Sequence, residues 1–157
     1  MSDAAASQPT PSDSLAEVRR RRLGVRAALE SLERSIAAAS SGREADWLAG
    51  VVDRVGRLQV AFDHHVALTE GPGGLFEEVI GDAPRLAHEV ATLGAEHVAI
   101  GDAIVTALDM GRSARGRGGA AEIREAAIDV MNQITRHRHA GAGLVYEAYN
   151  VDIEAAD

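Results

Sequence analysis

Apolar residues recur every three or four positions along four long stretches of this chain, the spacing of one buried helix face. The first stretch, Ser14–Ala39, carries Leu15, Val18, Val25, Leu29, Leu32 and Ile36, with Arg22 interrupting the stripe. Ser14 with Glu17 three residues later reads as a capping box, and Ser40-Ser41-Gly42 ends the stretch. The second, Glu44–Thr69, aligns Trp47, Val51, Val55, Leu58, Phe62, His65 and Thr69. Gly71-Pro72-Gly73-Gly74 then breaks the chain before a short helical piece, Leu75–Ile80. The third, Pro84–Met110, aligns Leu86, Val90, Leu93, His97, Ile100, Ile104 and Leu108. Gly111–Gly119 reads as a flexible loop. The fourth, Ala120–Tyr149, aligns Ile123, Ala127, Val130, Ile134, His137, Gly141, Leu144 and Ala148. Four helices joined by short connections predict an all-α fold, an antiparallel four-helix bundle over 14–149. Residues 1–13, rich in Ala, Ser, Pro and Asp, are expected to form a disordered tail, and residues 150–157 a short acidic one.

Composition adds exclusions. With 46% hydrophobic but only 3% aromatic residues, the core must be aliphatic, which favours helix over sheet. There is no cysteine, so disulfides and thiolate metal sites are ruled out; this suits a reducing cytoplasm, the expected location. A net charge of −8 argues against a nucleic-acid partner, because such binding relies on neutralising phosphates. The basic run Arg19–Arg22 reads as a solvated helix face. No uninterrupted run of about 18 apolar residues occurs, so no membrane span is expected. Gly71–Gly74 lacks the Lys-Ser/Thr of a phosphate loop, and no Gly-x-Ser-x-Gly is present, so nothing marks the chain as an enzyme. Tyr146 and Tyr149 close the fourth helix, and Tyr146 is placed to pack beside the core with its hydroxyl at the rim.

The candidate chemistry lies in the histidines. Of six, His65, His97 and His137 occupy mid-stripe positions on three different helices, whereas His64, His88 and His139 lie off the stripes. A helix turns about 100° per residue, so His64 and His139 point well away from their neighbours. If Leu75–Ile80 extends the second helix downward past the break and the bundle floor lies near Ile80 and Pro84, His65 and His97 stand roughly 20 Å above it and His137 about 18 Å above Tyr149, in one layer; if the second helix ends at Thr69, His65 sits near the floor instead. Unpartnered buried polar groups cost about 1–3 kcal/mol each. One metal ion would satisfy all three rings; ordinary hydrogen bonds to core carbonyls are the alternative. Glu70, at the break after the second helix, is a candidate fourth ligand. A two- or three-His plus carboxylate set suits iron, and also zinc or manganese.

Interior histidines on the second, third and fourth helices, with the pieces Phe62-Asp63-His64-His65, Glu96-His97 and Arg136-His137, resemble the hemerythrin-like (HHE cation-binding) family over residues 14–149. The resemblance implies a hemerythrin-like four-helix bundle with a non-haem iron centre, acting on oxygen, peroxide or nitric oxide, in sensing, or in metal handling. By it, His65 matches the histidine of the second-helix His-x-x-x-Glu motif, His97 the later histidine of the third-helix motif, and His137 the fourth-helix histidine. The chain also departs from the family. Its first helix has no histidine, Thr69 stands at the motif glutamate with Glu70 one residue late, Leu93 replaces the earlier third-helix histidine, and Ala142 replaces the expected aspartate. The ligand set therefore suits one metal rather than a bridged di-iron centre. The other reading is a metal-free helical bundle that binds a protein partner or a second copy of itself.

Overall fold

A computed structural model of the chain describes residues 11–38 and 41–154, with side-chain surroundings described for 24–38 and 41–150. It contains helices α1 (Pro11–Ala37), α2 (Glu44–Glu70), α3 (Leu75–Asp82), α4 (Ala87–Ser113) and α5 (Gly116–Glu154), with a 3-10 turn at Pro84–Leu86. No strand occurs among the described residues. The four long helices form a bundle in which α1 lies against α2, α2 against α4, and α4 against α5. Cross-helix contacts fix their directions. Trp47 at the start of α2 donates to the Ser35 carbonyl at the end of α1. Gly111 at the end of α4 meets both Val52 and Ile123, near the starts of α2 and α5. Arg85 reaches the Glu147 carbonyl at the far end of α5. Sequential long helices are therefore antiparallel.

Apart from the half-buried Gly141, every apolar stripe residue with described surroundings is buried, among them Leu32, Val51, Val55, Leu58, Ile123 and Ile134 at 0% exposure. They form two separate clusters. The larger joins α1, α2, α4 and α5 from Val25 and Phe62 up to Trp47, Leu108 and Ala120. The smaller gathers Leu75 and Val79 of α3 with Ala83, Leu86, Val90, Leu93, Leu144 and Ala148. The Gly-Pro-Gly-Gly segment makes the second cluster possible. Gly73 takes φ +69°, a left-handed conformation that suits glycine, and a Cβ on Gly74 would stand 2.7–2.8 Å from three carbonyl oxygens. This tight turn ends α2 at Glu70 and sets α3 as a separate helix under the bundle, so α2 is not extended downward past the break as the depth estimate assumes.

Several boundaries differ from expectation. α1 starts at Pro11, so Pro11–Asp13 are helical and Ser14 lies inside the helix rather than capping it. Proline favours the first helical turn, where its missing N–H is no loss. The side chains of Ser14, Glu17 and Arg19–Arg22, and residues 1–10 of the expected tail, lie outside the described surroundings. α5 runs to Glu154, through most of the expected acidic tail. The loop expected at Gly111–Gly119 shrinks to Ala114 and Arg115 between two helices. Packing outweighs glycine's weak helix propensity there. A Cβ on Gly111 would lie 2.5 Å from Val52 Cγ2 and 3.3 Å from Ile123 Cδ1, so glycine lets three helices approach closely. Gly111→Ala is accordingly expected to destabilise the fold by about 1–3 kcal/mol, since stiff Val52 must move. A thermal melt within a degree of the parent would contradict this.

The 84–113 segment is long and apolar enough to cross a membrane by length and composition, although its sequence holds no uninterrupted apolar run. The reason is its outward face, where Ala91, Ala95, Val98, Ala99 and Val105 stand among few charges. The opposite face is buried against the other helices. Arg124 of α5 lies 4.6 Å over the Trp47 ring and donates to the Ile36 carbonyl, satisfying an acceptor at the end of α1. Tyr146, expected beside the core, is 66% exposed, because two residues past Leu144 a helix faces nearly the opposite way. Tyr149 packs on the smaller cluster instead, and its hydroxyl donates to Glu78 at 2.7 Å. Burial and the Glu78 carboxylate push its phenol above the ordinary value, so it stays protonated as the donor.

Candidate metal centre

His65, His97 and His137 meet in one layer between the two apolar clusters, 8%, 3% and 4% exposed. Each reaches this layer by the same device, a histidine set into an otherwise apolar stripe one turn from a buried residue: Phe62 before His65, Ile100 after His97, Ile134 before His137. His64, His88 and His139 are exposed. The three rings meet at their Nε2 atoms. His65 to His137 is 3.3 Å, His97 to His65 3.3 Å, and His97 to His137 3.0 Å. Their ring planes are inclined at 58–89° to one another, so the rings point inward rather than stack.

On two of the rings the other nitrogen is held from outside. His97 Nδ1 lies 2.5 Å from Glu70 Oε1, and His137 Nδ1 lies 2.8 Å from Glu96 Oε2. A carboxylate accepts and does not donate, so each Nδ1 carries its proton and donates it. In the neutral tautomer this leaves the Nε2 atoms of His97 and His137 unprotonated, 3.0 Å apart. A carboxylate behind a histidine that presents its second nitrogen inward is the usual outer shell of a metal site. No buried side-chain N or O atom among the described residues lacks a hydrogen-bond partner. The three Nε2 atoms lie within hydrogen-bond distance of one another, and only one hydrogen can lie between any two nitrogens.

The donor set fits a metal ion. At metal–nitrogen lengths of about 2.0–2.1 Å, tetrahedral ligands stand about 3.3–3.4 Å apart and right-angled ones about 2.8–3.0 Å. Two of the observed separations match the first spacing and one the second. Three buried histidines thus lie close enough to hold one ion.

The structure does not bring Glu70, the candidate fourth ligand, into the converging group. Among the described residues the group of converging ligand atoms comprises the three histidines alone. Glu70 sits on the outer edge of His97, its side chain 41% exposed, because the chain turns away immediately after it at Gly71. Glu96, which contacts His137, is not legible from the sequence as part of this site. Its neighbour His97 occupies the stripe, so Glu96 reads from sequence as a flanking surface acid; only the α4–α5 packing brings it to His137. Two aromatic rings complete the surroundings. Phe62 stands 5.8–6.3 Å from all three imidazole centroids, and Phe76 of α3 stacks on His97 at 5.5 Å and 7°.

Replacing Glu96 by Gln keeps the shape but removes the charge-assisted bond and its control of the tautomer. Metal affinity is expected to fall about 10–100-fold, measured by competition with a chromophoric chelator. An unchanged affinity would mean that Glu96 does not act through His137. Compared with known proteins, the chain matches no family model, no curated protein and no solved structure.

Proposed function

We propose that this chain is a hemerythrin-like, non-haem metal-binding protein that holds one ion on His65, His97 and His137 and serves in metal handling or in sensing oxygen or peroxide. The observation that carries this reading is the convergence of three buried Nε2 atoms within 3.3 Å, with carboxylates behind two of the rings. The resemblance in residues favours iron; the nitrogen donors also suit zinc, and manganese less well. When bound, iron would supply one-electron redox chemistry. The residues themselves bind and orient: Glu70 and Glu96 hold the Nδ1 protons of His97 and His137, while Phe62 and Phe76 keep bulk water from the rings. The acidic balance supports a role without nucleic acid, and the lack of cysteine suits the cytoplasm.

The test is metal analysis of protein purified without chelator or affinity metal, then reconstituted. About one ion per chain is expected, and less than about 0.2 after reconstitution would sink the reading. A second reading, a metal-free bundle that docks a partner, draws on the surface of α4. Val98 and Val105, 66% and 46% exposed one heptad apart on α4, suit contact with a protein partner or a second copy.

A further inference from the structure

We infer that the centre is four-coordinate: the three Nε2 atoms and one exogenous ligand the size of a water molecule, held on the α1 side of the histidine triangle. This rests on the reading that the histidines hold an ion and adds its coordination number. Three observations lead there. The donor spacing has two of three distances at the tetrahedral value. No carboxylate joins the converging group among the described residues, Glu70 and Glu96 being engaged at Nδ1. Finally, a void of about 10 Å³ lies against His65 and His137, lined by Val25, Phe62, Ile134 and Arg138. A single water needs about 10–15 Å³, so the void suits one small ligand.

A six-coordinate ion on three histidines needs three more donors on its open side. Val25, Phe62 and Ile134 offer none there. The site therefore suits a divalent ion that accepts four ligands with nitrogen donors, such as ferrous iron or zinc, with manganese disfavoured. The fourth ligand would be water, hydroxide or a monatomic anion. Bulkier anions would clash with the apolar lining.

Cobalt(II) reports this directly, because four-coordinate cobalt absorbs visible light far more strongly than six-coordinate cobalt. Full-length protein stripped with chelator would be loaded with cobalt(II), then titrated with fluoride and, separately, with acetate. One cobalt per chain with intense visible bands that respond to fluoride and not to acetate is the expected result. Faint six-coordinate absorption would overturn the inference while leaving metal binding intact. A response to acetate as ready as to fluoride would also overturn it, since the site would then be wide. Failure to bind cobalt at all would overturn the proposed function itself. Val25→Ile adds one methylene to the void without touching a ligand. It is expected to retain cobalt while its fluoride affinity falls by about tenfold. Retained cobalt with unchanged fluoride affinity would place the open position elsewhere and overturn the assignment.

Discussion

Chelator-treated protein is expected to melt roughly 8–16 °C lower than the same protein with a saturating divalent ion. An ion that binds only the folded state stabilises it by RT ln(1 + [L]/Kd), about 4 kcal/mol at a thousandfold excess over Kd. For a domain of this length each kcal/mol moves the midpoint by about 2–4 °C. The size of the effect follows from where the ligands lie. His65 is on α2, His97 on α4 and His137 on α5, so one ion ties three of the four long helices. His97→Leu separates the competing readings. In a metal-binding protein it abolishes the metal-induced shift, because the remaining pair binds far more weakly. In a metal-free bundle it is neutral or stabilising, because a leucine replaces a buried polar ring among apolar neighbours. A parent protein with no shift, together with a His97→Leu variant that melts higher, would establish the metal-free reading.

Phe62→Ala is expected to cost about 3–5 kcal/mol, a large part of the roughly 5–15 kcal/mol that stabilises a domain. Phe62 is 1% exposed and belongs to the larger apolar cluster, so its loss leaves a cavity that its neighbours cannot fill. It also faces all three imidazoles, with centroids 5.8–6.3 Å away, and removing it frees the rings to turn out of register. Urea unfolding would measure the first effect and metal competition the second. Phe62→Leu separates them, because it retains most of the apolar volume. A Phe62→Ala variant as stable as the parent would contradict the packing described above.

The sequence carried most of the fold because its periodicity is physical. Each of the second to fourth stripes maps onto a buried helix face, and His65, His97 and His137 stand out as polar residues at stripe positions. Rotation about the helix axis was enough to set aside His64 and His139, which are exposed. What periodicity does not carry is contact between helices. Glu96 and Glu70 lie off the stripes, and their roles depend on which neighbouring helix faces them. Glu70 was close enough in sequence to His65 to suggest a shared ligand set, yet it serves His97, 27 residues away. The Gly111–Gly119 segment misled for a related reason. Glycine there has low intrinsic helix propensity, but the close approach of Val52 and Ile123 to Gly111 makes a side-chain-free position the favourable one.

The division of the interior into two apolar clusters separated by a polar layer bears on how the molecule opens. Packing between the clusters is interrupted at the histidines, so the α3 floor is expected to open as a unit of its own, coupled to the main bundle through that layer and through α4 and α5, which run through both clusters. Without an ion the coupling rests on hydrogen bonds and the Phe76–His97 stack, and the amides of α3 and the lower ends of α4 and α5 should exchange with solvent by a partial opening well below the energy of global unfolding. A bound ion would join the units across their seam, so that the floor and the bundle exchange, melt and refold together.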